Sequence, residues 1–205
     1  HGLLGFKVLA DGIIKKVNFV DVMPDIIDSL NLKLTQYSHH LPDDVQWQTF
    51  CNDTSDIILP EDLLSPESIS SETANQLIII SGVGGELITE ILDKLLERYS
   101  GYNIDYLLCP VQHTYKLRKK LSQHNFKLKH EQLIVENKRG YELLLVNQLH
   151  GKRLSVTGNE IWLQETDHKN YLSKLIKHYQ RTTTKENSDY LINQNALSAY
   201  RLTYE

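Results

Sequence analysis

Residues Gln76 to Leu92 read "QLIIISGVGGELITEIL". An apolar run of strand character ends in a glycine cluster, and apolar residues at helical spacing follow. Strand, Gly-rich turn and helix in that order form the phosphate-cradling unit of nucleotide-binding α/β folds. Gly82, Gly84 and Gly85 spell G-x-G-G rather than G-x-G-x-x-G; the third glycine of the fingerprint would fall at Leu87. No Lys-Ser/Thr pair follows, which excludes a P-loop. Asp105 lies about 20 residues on, where a ribose-binding acid belongs, but it precedes a strand rather than ending one. On these residues alone, the glycines read as a tight turn at a strand end.

The flanks extend the β-α alternation in both directions. "KVNFVDV" (Lys16 to Val22) and "VQWQTF" (Val45 to Phe50) have strand character. Between them, Asp25 precedes a segment with Ile26, Ile27, Leu30 and Leu34 on one helical face. Residues 52–75 are rich in Asp, Ser, Pro and Asn and read as loop with one short helix. "QLIIIS" is predicted to be a buried strand, "ELITEILDKLLERY" an amphipathic helix, "YLLCP" (Tyr106 to Pro110) a strand and "KLRKKLSQHNF" a basic helix. "EQLIVEN" and "YELLLVNQ", joined through "KRG", carry a β-hairpin signal. Repeated β-α units predict a doubly wound parallel sheet with helices on both faces. The terminal antiparallel hairpin marks the class I methyltransferase (Rossmann-like) variant of that sheet. From about Leu154 the chain turns helical, with a polar turn at 182–189 between two predicted helices.

The 205 residues suit one large domain or a domain with an appendage. No apolar run approaches the ~20 residues of a membrane span. Two cysteines, Cys51 and Cys109, make no disulfide framework, so a reducing cytoplasm is the expected setting. Net charge is −4, but residues 1–110 hold 6 basic and 17 acidic side chains, and residues 111–205 hold 16 basic and 9 acidic. That asymmetry fits either a polyanion-facing C-terminal half or solvated lysine-rich helix faces.

Asp21 ends an early strand, where a carboxylate can accept both hydroxyls of a ribose or simply close a turn. Asp53 follows the next strand at the same sheet edge. His39 and His40 are adjacent and make poor joint ligands, so no metal site is expected. His113 follows a strand end and could face the cleft, though a lone His is more often structural; Trp47 and Trp162 read as core or interface rather than as base-stacking platforms.

With those features together, the chain resembles the bacterial SAM-dependent tRNA (adenine-N1)-methyltransferases that modify adenosine at the edge of the D-loop. "HGLLGFKVL" (from His1) resembles the segment after that family's first strand. "IIISGVGGELITEIL" (from Ile78) resembles its Ala-Gly-Met-Gly-Gly block, with Ser81 and Val83 replacing Ala and Met. "LLCPVQHTYKLRKKLSQHNF" (from Leu107) resembles a strand ending in Gln-Pro-Asn, with Val111 in place of Asn. "EQLIVENKRGYELLLV" (from Glu131) resembles its final Tyr-Glu hairpin.

The resemblance implies a methyltransferase domain over residues 1–150, a helical C-terminal region over 151–205, and a first strand with its cofactor loop lying before His1. It implies S-adenosylmethionine as cofactor, with no metal and no membrane, held by His1, Gly2, Asp21, Val22, Asn52, Asp53 and Ser81 to Gly85 (Ser81, Gly82, Val83, Gly84, Gly85). Asp21 would take the ribose, Asn52 and Asp53 the adenine edge, and the glycines would clear space where cofactor and target base meet. The implied partner is tRNA. Phosphate contacts would come from Lys116, Arg118, Lys119, Lys120, Lys138, Arg139, Lys169, Lys174, Lys177 and Arg181. The reaction would be direct methyl transfer to adenine N1, whose lone pair needs no strong base. The alternatives are a different SAM-dependent substrate, whether another RNA or a small molecule, or a non-catalytic RNA-binding relative.

Overall fold

The computed structural model describes residues 2–59, 74, 76–158, 160–162, 165–184 and 188–204. The chain divides into two compact units, His1–Ile58 and Leu59–Glu205.

In the first unit, α1 (Leu3–Ala10) precedes β1 (Lys16–Asp21), α2 (Pro24–Tyr37) and β2 (Gln46–Cys51). Helix α1 was not legible as such in the sequence. β1 and β2 run parallel, in register from Lys16 opposite Gln46 to Asp21 opposite Cys51. Pro24 starts α2 at a position where its missing N–H costs nothing, and Asp25 in the first turn complements the helix dipole. Ile27, Leu30 and Leu34 are its buried stripe, close to the face predicted. With Leu9, Phe19, Leu41 and Val45, Leu30 and Leu34 form the unit's core, and Trp47 packs against it.

In the second unit the order is β3 (Gln76–Ser81), α3 (Gly85–Tyr99), β4 (Ile104–Cys109), α4 (Thr114–Gln123), β5 (Lys127–Glu136), β6 (Arg139–Asn147), β7 (Lys152–Arg153), α5 (Thr166–Thr182) and α6 (Tyr190–Tyr204). Its sheet runs β3-β4-β6-β5-β7. Only β3 and β4 are parallel; the other pairings are antiparallel. β3 is an edge strand of that ladder, and Leu77 is exposed, so the expectation of a fully buried strand is corrected. Along β4, Ile104, Tyr106 and Leu108 alternate into the core. Between them, Asp105 accepts hydrogen bonds from Lys129 Nζ at 2.7 Å and Asn147 Nδ2 at 2.7 Å. These contacts commit Asp105 to the sheet and end its candidacy as a ribose acid.

The hairpin turns at Asn137 and Lys138, both with positive φ (48° and 62°), not at the glycine of "KRG". Two successive left-handed residues make the tight turn whose twist matches the strands. Arg139 already lies in β6. Gly140 is required for another reason: a Cβ there would fall 2.3 Å from the Tyr171 ring of α5.

Helices α5 and α6 pack antiparallel in sequence order around Leu172, Tyr179, Ala196 and Tyr200, and share this core with Tyr115 of α4. Tyr179 and Tyr200 stack at 5.7 Å between ring centroids, and Trp162 stacks on Tyr171 at 6.1 Å. The two predicted helices and the core reading of Trp162 hold, although residues 185–187 lie outside the described part of the predicted turn.

Candidate active site

In the first unit, Asp21 and the Cys51–Asp53 segment lie at the carboxyl ends of neighbouring parallel strands, where open α/β sheets bind ligands. The Asn52 N–H donates to the Asp21 carbonyl at 3.1 Å, so the two strand ends are tied together. One Asp21 carboxylate oxygen, Oδ1, accepts from the Met23 N–H at 2.9 Å, closing a local turn. Val22, Asn52 and Asp53 are exposed. The groups exposed here are mainly acceptors, matched to hydroxyl and amino donors: a part-exposed carboxylate, pinned through one oxygen, beside an amide and a second carboxylate. Gly2 has a φ of 73° and caps α1 against Leu30, where a Cβ would come within 2.4 Å of the leucine. That contact gives Gly2 a packing role. His1 lies outside the described residues.

In the second unit, the loop after β3 is laced to the loop after β4. Val111 N–H donates to the Val83 carbonyl at 3.0 Å, and Gly85 N–H donates to the Gln112 carbonyl at 2.9 Å. The three glycines have three different causes. Gly82 has a φ of 80°, a conformation side chains disfavour, and no atom within 4 Å of where its Cβ would lie. Gly84 packs at van der Waals distance on the Gln112 side chain. At Gly85 a Cβ would meet the His113 carbonyl oxygen at 2.6 Å. Gly85 is buried and its N–H is taken by the Gln112 carbonyl; having no side chain lets α3 close on the loop after β4. Ser81 and Gly82 are exposed at the strand end.

The predicted phosphate-contacting residues separate into three groups. Arg118 is fully buried. Its Nε donates to Glu142 Oε2 at 2.7 Å, Nη2 to Glu131 Oε2 at 2.8 Å, and Nη1 to the Ser155 carbonyl at 3.1 Å. Burial alone would lower its pKa, but the Glu142 and Glu131 carboxylates outweigh that and hold it above its ordinary value. Tyr171 Oη donates to Glu142 Oε1 at 3.0 Å and Glu160 N–H to Glu131 Oε1 at 2.7 Å, completing the network. Its expected role as a phosphate contact is therefore corrected; the side chain is a buried tie between α4, β5 and β6. Lys116 is mostly covered and donates to both Glu86 Oε1 and Asp189 Oδ2 at 2.6 Å. Lys120 pairs with Asp93 at 3.2 Å.

The remaining cations face outward. Lys174, Lys177 and Arg181 recur at i, i+3 and i+7 on α5 and, with Gln180, line an open groove of about 330 Å³. Lys174 Nζ donates to the Lys138 carbonyl at 2.6 Å, which links this face to the hairpin turn carrying exposed Lys138 and Arg139. Lys169 is exposed and Lys119 half-buried. Among the described residues, no group of three or more His, Cys, Asp or Glu side chains is arranged to hold a metal ion, and no helix is long and apolar enough to cross a membrane.

A family model described as a methyltransferase domain matches residues 1–144, more than half of the chain. The chain belongs to the methyltransferase-domain family. Direct comparison with curated protein sequences gives no match. Solved structures share the fold of this methyltransferase-domain protein over its whole length. A Streptococcus pneumoniae protein, described provisionally as a tRNA (m1A22) methyltransferase, is 20% identical with a TM-score of 0.70, covering 100% of this chain and 89% of its own. M. capricolum TrmK, in complex with S-adenosyl-homocysteine, is 18% identical with a TM-score of 0.72 over 98% and 85% of the two chains. The B. subtilis m1A22 tRNA methyltransferase TrmK is 15% identical with a TM-score of 0.65 over 100% and 85%.

The sequence pointed to Asp21, Asp53 and the glycine loop of this methyltransferase domain. It did not single out Glu86, and it weighed Gln112 only as a substitute for the Asn that the family resemblance expects at Val111. Their signal was weak: an acid in the first turn of a helix and an amide two residues after a proline are ordinary residues until two loops are laced together.

Proposed function

We propose that this protein transfers a methyl group from S-adenosylmethionine to N1 of an adenine in tRNA, at the position-22 adenosine named for the similar structures. The observation that carries this reading is the likeness, over the methyltransferase sheet and the C-terminal helices alike, to tRNA (m1A22) methyltransferases. A cofactor product bound to one of these similar structures supports the choice of cofactor. Bound S-adenosylmethionine supplies an electrophilic methyl group.

The chain's own residues bind and align. Asp21 accepts the ribose hydroxyls, Val22 and Asn52 border the adenine, and Asp53 accepts from its amino group. In the second unit, Ser81 to Gly84 form the turn after β3, with Ser81 and Gly82 exposed. Adenine N1 attacks through an existing lone pair, so alignment carries most of the catalysis. The setting is cytoplasmic, where tRNA is found.

The face formed by Lys174, Lys177 and Arg181, continued by Lys138 and Arg139, meets the tRNA backbone. Each phosphate contact contributes about 0.7–0.9 to the slope of log affinity against log salt. Replacing Lys174, Lys177 and Arg181 together with Gln is expected to weaken tRNA binding and to flatten that slope by roughly 2–3. Fluorescence anisotropy between 50 and 200 mM salt measures it; an unchanged slope would remove this face from the interface. Methyl transfer from labelled S-adenosylmethionine to bulk tRNA tests the reading as a whole, and a titration with NADH distinguishes it from dehydrogenase use of the same sheet.

A further inference from the structure

The outward face of α5 carries one titratable ring among its permanent charges. Lys174, Lys177, His178 and Arg181 fall at i, i+3, i+4 and i+7, so the four side chains share one face of the helix. All four are exposed. Lys174, Lys177 and Arg181 line the groove with Gln180, and His178 stands one turn after Lys174 and one turn before Arg181. A count of lysines and arginines passes over this residue, although its imidazolium form offers two N–H donors and a positive charge.

The surroundings of His178 oppose that charge in the free protein. On its own helix stand Lys174, Lys177 and Arg181, and the Tyr179 ring lies edge-to-face at 5.1 Å. From the loop before α4, the His113 imidazole faces it. Beyond His113, Glu86 and Asp189 are both held by Lys116. Partial burial first, then Arg181 and His113, lower the His178 pKa below its ordinary value, so the ring is neutral at pH 7. An imidazole kept neutral by neighbouring cations returns to its charged form when an anion is placed beside them. A phosphate on this face offsets the repulsion and accepts a charge-assisted hydrogen bond from the ring. The lysines and the arginine enter such a contact already charged; His178 alone on this face changes its protonation.

We propose that His178 is a phosphate-contacting residue of the α5 face that engages in its protonated form, so that tRNA binding takes up a proton at this side chain. This rests on the reading of that face as the tRNA-facing surface. Binding raises the pKa of the ring from its lowered value in the free protein to a higher value in the complex. Affinity is therefore constant above the complex pKa, rises as pH falls between the two values, and levels off below the free-protein pKa. Each unit of separation between them is about a tenfold gain in affinity. The gain comes with one more neutralised phosphate, so the slope of log affinity against log salt steepens by about 0.7–0.9 on acidification.

Fluorescence anisotropy with the full chain and bulk tRNA, at low salt from about pH 8 to about pH 5.5, reads the affinity gain; salt titrations at the two ends read the slope. The wild type is expected to bind about tenfold tighter at the acidic end. His178→Gln keeps an exposed polar side chain without a titrating charge. It is expected to match the wild type at the alkaline end and to lose both the gain and the steeper slope. His178→Arg carries the charge at every pH; it is expected to bind about tenfold tighter than the wild type at the alkaline end and to match it at the acidic end. Calorimetry in buffers of different ionisation enthalpy should find uptake approaching about one proton per chain for the wild type inside the window, and none at this site for either variant. A gain retained in full by His178→Gln overturns the inference. So does a wild-type affinity indifferent to pH while the joint replacement of Lys174, Lys177 and Arg181 with Gln still flattens the salt slope; both results leave the tRNA-facing surface in place. An unchanged salt slope in that triple variant removes the face from the interface and this inference with it, while methyl transfer to tRNA, scored separately, decides the proposed function.

Discussion

Asp21→Ala is expected to weaken S-adenosylmethionine binding about a hundredfold while the fold persists. The size follows from the bonds lost. A hydrogen bond to a charged acceptor contributes about 1.5–3 kcal/mol, and each 1.4 kcal/mol is about tenfold in affinity. The fold persists because Asp21 is part-exposed at the end of β1, and its structural duty is one bond from Met23 N–H to Oδ1. The ladder opposite β2 and the Asn52 bond to the Asp21 carbonyl use backbone atoms and survive the substitution. Asp21→Asn separates the two duties, since its amide oxygen can still close the Met23 turn while the charge is gone. Calorimetric titration of both variants, with circular dichroism as the folding check, decides the matter; unchanged affinity in either would refute the ribose role.

The second large effect is on stability. Arg118→Met would leave Glu131 and Glu142 facing each other in the interior with no cation between them. Removing one partner of a buried ion pair costs about 3–5 kcal/mol, because the charge left behind has lost both water and partner. The chain has an escape, which gives the prediction a pH signature. Without the guanidinium, burial raises the folded-state pKa of the carboxyls above the unfolded value, so the folded variant binds more protons than the unfolded one. Its stability then rises as pH falls through that window, and the deficit against the wild type narrows from pH 7 toward pH 5. Urea denaturation at the two pH values measures this. A variant as stable as the wild type at pH 7, or a deficit that widens on acidification, would contradict the buried-triad account.

Arg118 also marks where the sequence stopped being readable. In "KLRKKL" it is one of four basic residues in a helix, indistinguishable by composition from the three lysines beside it. Only the tertiary fold reveals that the Arg118 face of α4 meets β5 and β6, where Glu131 and Glu142 wait. The same pairing accounts for Glu142 of the hairpin. The β-α alternation, the α2 and α3 stripes and the helical pair at the C-terminus were legible because burial imposes their period on the apolar residues. The hairpin turn was misplaced by two residues because Asn137 and Lys138 adopt positive φ without glycine. β7 was missed because two residues carry no period. At the site, Asp21 and the glycine loop were visible as strand-end residues. The functions of individual glycines were not: Gly85 serves a backbone approach from a loop 28 residues away, which no local pattern encodes.

The central claim, methyl transfer to adenine N1 in tRNA, is tested most directly by one measurement. The protein is incubated with methyl-labelled S-adenosylmethionine and unmodified tRNA, and the tRNA is then digested to nucleosides and separated. The account expects the label in 1-methyladenosine, mapped to position 22, with none when that adenosine is replaced by guanosine. Label in another nucleoside, or S-adenosylmethionine bound without any label in tRNA, would contradict it.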